Sequence, residues 1–140
     1  MGNDEITRLS RREHALYGEL AALYRGMLEA LTDERAPVDL SRLAADGARA
    51  DAAVGALAVL ETTLAPVRRA SDAVSEVVAL WQASATVAAD AAVMNRELVV
   101  AARVRQTRIA SLSAVLRAGR RLLTGYRPAG ASAAAVDRRA

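Results

Sequence analysis

No proline interrupts the chain between Pro66 and Pro128, and through that stretch side chains repeat on a seven-residue spacing. Counting from Val74 gives Val74, Trp81, Ala88, Asn95, Ala102, Ile109, Leu116 and Leu123. The companion series from Val77 gives Val77, Ser84, Ala91, Leu98, Arg105, Leu112, Gly119 and Tyr126. Spacing sustained this long places both series along one side of a single helix with a coiled-coil-like seam. Ser71 or Asp72 can cap its start, Gly125 stops it, Arg120 and Arg121 suit its negative end, and Pro128 prevents its resumption. From residue 71 to Thr124 such a helix would be about 75–80 Å long, at about 1.5 Å per residue.

Two shorter helices precede it. The first starts at Asn3 or Asp4 and carries the stripe Leu9, Leu16, Tyr17, Leu20, Leu23, Tyr24, Met27, Leu28, Leu31, in steps that return to one face. Pro37 separates it from the second, which Asp39 can cap and whose seam runs through Leu40, Leu43, Gly47, Ala50, Val54, Leu57 and Leu64. Small residues at 47, 50 and 55 imply either a very close neighbour or marginal stability, and Pro66 closes or kinks this helix. The expectation is an all-α fold with helices over about 4–35, 39–65 and 71–124. These form one helical domain over 1–127, followed by a disordered tail over 128–140. Two short helices cannot cover the third. The predicted architecture is therefore an elongated three-helix bundle or hairpin, with a long C-terminal helix, coiled-coil-like packing and part of that helix protruding.

Composition narrows the function. Hydrophobic residues make up 53% of the chain but aromatics only 3%, and much of the hydrophobic share is alanine. Alanine forms helix readily and buries little area. All 19 basic residues are arginine and the net charge is +3, with a pI near 10.1. Codon usage of a GC-rich bacterial genome explains the arginine, although its fork also suits carboxylates and phosphates. There is no cysteine, so neither a disulfide framework nor a thiolate metal site is expected. The opening MGNDEITRLSRREH has no signal-peptide h-region, and Ile6 breaks the myristoylation pattern. With no run of 18 apolar residues free of charge, the expectation is a cytoplasmic protein without membrane insertion.

Nothing predicts catalysis, a metal site or a cofactor. His14 is the only histidine and reads as an exposed helix residue, the carboxylates read as scattered over helix surfaces, and neither GxGxxG nor GxxxxGK[ST] occurs. Asn95 falls on the seam, where a buried amide fixes register or a drift of the supercoil turns it to solvent; Arg105 carries the same two readings. Arg96, Arg103, Arg105, Arg108, Arg117, Arg120, Arg121 and Arg127 make the distal helix basic, with only Glu97 against them. That pattern is a solvated face or a site for an acidic partner. No nucleic-acid module or stacking aromatics accompany it. The stripe Leu98, Val99, Ala102, Ile109, Leu112, Leu116 and Leu123 is long for the helices available to bury it, which predicts a partner groove or a homodimer seam.

In order and in residues the chain resembles the FlgN-type flagellar export chaperone family. The pieces that carry the likeness are LYGELAALYRGMLEAL, DLSRLAADGARADAAVGAL, MNRELVVAARVRQTRIASLSAVL and the ending GYRPAG, over roughly residues 9–130. Arg127 stands where the family usually has Gly, and the second helix lacks the Lys common there. The resemblance implies a cytosolic chaperone that shields the amphipathic terminal helices of hook-associated (hook–filament junction) proteins. It would deliver them to the type III export gate or its ATPase components. The third helix would carry the binding face, with Tyr126 docking on the gate. A self-associating helical scaffold without chaperone activity is the alternative.

Overall fold

The computed structural model of the protein describes the backbone of residues 1–70 and 73–125, and their side chains except at 109 and 120–125. About 91% of it is helical, in three helices packed together, and no strand occurs among the described residues. They are α1 (Asn3–Thr32), α2 (Leu40–Ala70) and α3 (Ser75–Gly125). The chain divides into two units, residues 1–102 and residues 103–140, where the sequence suggested one domain over 1–127. The expected tail over 128–140 lies outside the described residues.

Each helix boundary has a local cause. Gly2 is the N-cap of α1, its carbonyl accepting from the Ile6 N–H at 3.1 Å; no side chain caps the helix, although Asn3 and Asp4 offered one. It ends three residues earlier than predicted. Asp33 leaves the helical region at ψ 103°, and its Oδ1 accepts from the Arg35 N–H at 2.9 Å. That short-range bond offers the backbone an alternative to the next helical turn. Asp39 caps α2 as predicted, with Oδ1 accepting from the Arg42 N–H at 3.0 Å. Replacing Asp39 with alanine is expected to lower stability by about 1 kcal/mol, read from a thermal melt followed by circular dichroism.

α2 does not close at Pro66 but runs on to Ala70. A proline there removes the N–H that the Thr62 carbonyl would otherwise receive. Tertiary contacts on either side hold the turn: Leu64 is fully buried, and Arg68 reaches back to Glu61 and across to Glu13 on α1. Ser71 and Asp72, the expected caps of α3, lie outside the described residues. α3 starts on the Val74 carbonyl, which accepts from the N–H groups of Val77 and Val78 at 2.9 and 3.1 Å.

In the first unit the close backbone approach is between α1 and α2. Leu20, Leu23, Ala50, Ala53 and Leu57 form the core there, with Leu16, Tyr17 and Tyr24 packed against it. Alanines at 50 and 53 are what let the two backbones approach. Gly55 meets nothing within 4 Å of where a Cβ would stand, and Gly47 only the Met27 methyl at 3.8 Å. Small size at those two positions is therefore not what packing demands.

α3 uses the companion seven-residue series. Val77, Ser84, Ala91 and Leu98 are all buried, with Leu80, Trp81, Val87, Ala88, Met94 and Ala101 half-buried beside them. Steps alternating three and four keep this seam on one side. The series from Val74 drifts off it, so Met94 flanks the core and Asn95 is exposed.

Windows of 18 residues within Leu40–Ala70 and within Ser75–Gly119 reach mean hydropathy 1.4 with no more than two charged residues each. By length and composition both pass as long enough and apolar enough to cross a membrane, although neither contains 18 residues free of charge. Alanine and valine raise the mean enough to offset an isolated Asp or Glu. In α2 the largest apolar groups, Leu57, Leu60 and Leu64, are buried within the fold.

Candidate functional site

The first unit contains a polar cluster that the apolar stripe of α1 did not reveal. Ile6, Ser10, Glu13, Tyr17 and Leu20 share one face by steps of four and three. Of these, Ser10 and Glu13 are buried as completely as the leucines. The Trp81 indole donates to Ser10 Oγ at 2.9 Å. Glu13 is 1% exposed and pairs with Arg68, which also pairs with Glu61 and sits over the Trp81 ring at 5.4 Å from its centre. Glu13 Oε2 is buried without a protein hydrogen-bond partner. Carboxylates are therefore not confined to helix surfaces, contrary to expectation. A lone charge at Glu13 would be very costly to bury, and Arg68 neutralises it while its own stem fills space beside Trp81.

His14 is likewise not an exposed helix residue: it is half-buried, with Nδ1 3.2 Å from Ser84 Oγ. A serine beside an imidazole is the minimal nucleophile–base pair. Ser84, however, is 2% exposed in the α1–α3 contact, so a substrate carbonyl cannot reach its Oγ without separating the helices. The pair serves packing.

Burial out of water, then the negative charges of Glu13 and Glu61, push the Tyr17 phenol above its ordinary value, against a smaller pull downward from Arg68. A raised folded-state value for an acid means the neutral form is favoured in the fold. That stabilisation is complete below the unfolded value of about 10 and is lost as pH rises through the folded value. Tyr17→Phe should therefore flatten the alkaline loss of stability, measured by urea unfolding at about pH 9 and about pH 11.

Two exposed apolar surfaces among the described residues bear on binding. One is an apolar groove of about 710 Å³ on the first unit, floored by Leu28, Met94, Val100 and Ala101 between the end of α1 and α3. Its rim carries Arg25 and Arg96 with Glu29 and Glu97, so it has no preferred sign of charge.

The other surface is the second unit. Among its described side chains Leu112, Val115 and Leu116 are 60%, 67% and 63% exposed, and Val104 is exposed too. At about 100° per residue, Val104, Leu112, Val115 and Leu116 fall within about 120° of one another, a continuous apolar face. Arg105 and Arg108 stand on that same face, two turns and one turn before Leu112 respectively, with Arg105 half-buried. Arg103 and Arg117 lie on the opposite side, and Arg117 Nε donates to the Ser113 carbonyl at 3.3 Å. From Leu98 to Val136 the sequence contains no Asp or Glu.

The residues predicted for partner binding thus divide. Leu98 is 9% exposed and belongs to the core of the first unit, because it completes the buried series begun at Val77. Val99 and Ala102 are exposed on the first unit, and Leu112 and Leu116 on the second. Ile109 and Leu123 fall within α3, but their side chains lie outside those described, and Tyr126 lies outside the described residues. Val115 was missed because it belongs to neither seven-residue series, although its three-residue step from Leu112 is a helical-face signal. The chain matches no protein-family model, no curated protein and no solved structure.

Proposed function

We propose that this protein is a cytosolic export chaperone of the flagellar type III kind, which holds the amphipathic terminal helices of hook-associated proteins and passes them to the export gate. The observation that carries this reading is the exposed face of Leu112, Val115 and Leu116 on a helix that is otherwise regular. Water penalises such a face, and an amphipathic helix laid along it relieves the penalty for both partners. The resemblance in the pieces LYGELAALYRGMLEAL through GYRPAG supplies the identity of the cargo and the role of Tyr126 at the gate. No cofactor enters this mechanism.

A second reading, a self-associating helical scaffold, is favoured by the buried seven-residue seam of α3, whose spacing continues at Arg105, Leu112 and Gly119. Sedimentation at low micromolar concentration separates the two. The chaperone reading expects a monomer that shifts to a one-to-one complex when a hook-associated protein's terminal helix is added. A stable dimer without cargo, unchanged by adding it, would establish the scaffold instead.

A further inference from the structure

We infer that the groove on the first unit receives a second copy of this chain, the two lying antiparallel about a two-fold axis. This surface is not the one proposed for cargo, and the inference goes beyond that reading. Arg25 and Glu29 on α1 rim the groove, as do Arg96 and Glu97 on α3. None of the four forms an ion pair among the described residues, although together they surround one apolar floor and their charges cancel. On that floor Val100 is 58% exposed, and Leu28, Met94 and Ala101 are half-buried. Whatever covers the floor must therefore answer two positive and two negative charges at once.

The order of those charges selects the occupant. Arg25 and Glu29 stand on one face of α1, about 6 Å apart along its axis. A two-fold axis crossing α1 at residue 27 reverses that order, so Arg25 meets the partner's Glu29 and Glu29 meets the partner's Arg25. α3 runs parallel to α1, with His14 against Ser84 and Ser10 against Trp81, pairs 70 and 71 residues apart. Residue 27 is therefore level with residue 97 or 98, and the same axis sets Arg96 opposite the partner's Glu97 to within about one turn. A uniformly acidic or basic helix would bring like charges together at two of the four positions. Nine residues line the groove, against about 20–30 on each side of a standard interface. The pairing is accordingly weak, and the protein stays monomeric at the low micromolar concentration where cargo binding is read.

Sedimentation equilibrium of the full chain, from about 10 µM to about 1 mM, tests this range of weak association. The chain should be monomeric at the lower end and mostly dimeric at the upper. Arg25→Glu alone and Glu29→Arg alone should each weaken the dimer about tenfold or more, because each sets like charges together. An equal mixture of the two variants should form a heterodimer tighter than the wild-type dimer. One copy then carries only Glu at these positions and the other only Arg, which an antiparallel two-fold brings face to face. Both side chains are exposed, so circular dichroism should show helical content unchanged. A chain still monomeric at the upper concentration would overturn the inference. So would a dimer that both single variants leave intact, or one that the mixture fails to restore. A dimer lost instead in the Leu112→Asp, Leu116→Asp protein would overturn it in favour of the self-associating scaffold.

Discussion

Replacing Arg68 with methionine is expected to lower the unfolding free energy of the first unit by about 3 kcal/mol, the lower end of what removing one partner of a buried ion pair costs. The reason is the state in which Glu13 is left. Its carboxylate is buried between α1, α2 and α3, and one of its oxygens already lacks a protein partner. Arg68 is its one ion-pair partner among the described residues. Burial alone would lower the Arg68 pKa, but the hydrogen bonds to and the charges of Glu13 and Glu61 outweigh that and raise it, so the guanidinium stays charged. Arg68 keeps some contact with solvent, which lets water reach Glu13 after truncation and holds the loss near the lower figure. For a unit of this size such a loss is a large part of the total. The double replacement Glu13→Leu with Arg68→Met should recover most of it, because two apolar groups leave no charge unanswered. Urea unfolding followed by circular dichroism reads both effects. Equal stability of the single variant and the wild type would mean that the pair contributes nothing to holding the three helices.

Leu112→Asp together with Leu116→Asp is expected to weaken cargo binding at least about 100-fold while leaving the melting curve of the first unit unchanged. Each leucine covered by a partner contributes about 1.5–3 kcal/mol, and two together correspond to more than two decades of affinity. Both side chains face solvent in the free protein, so the folded state loses little when they become carboxylates. Titration of a labelled terminal helix into each protein gives the comparison, and unchanged affinity would remove this face from the binding surface.

The parts of the fold legible in the sequence are those where packing follows periodicity. Leu20, Leu23 and Leu31 stand in the stripe predicted for α1 and are buried, and Ala50, Leu57 and Leu64 do the same in α2. Asp39 was readable as a cap because its bond to the Arg42 N–H is local. The polar cluster was not readable in the same way. Ser10 and Glu13 are polar residues on a buried face, and what makes them acceptable there, Trp81 and Arg68, lies 71 and 55 residues away. The only local sign was the gap between Leu9 and Leu16 in an otherwise regular stripe. Continuation of α2 through Pro66 depends on the same distant contact, since Arg68 must remain helical to reach Glu13. On α3 a single residue of drift separates Met94 from Asn95, and sequence counting cannot resolve it without knowing which of two seven-residue series faces the core. For the candidate site, the apolar pattern past residue 102 was visible. Its exposure depends on what the other helices cover, as Leu98, buried in the same pattern, makes plain.

Hydrogen exchange of the full chain with and without a hook-associated protein's terminal helix tests the central claim most directly. The account predicts that amides over residues 103–119 exchange more slowly when the helix is bound, and that this protection disappears in the Leu112→Asp, Leu116→Asp protein. Protection confined to residues 3–102, with residues 103–119 exchanging at the same rate in both states, would contradict it.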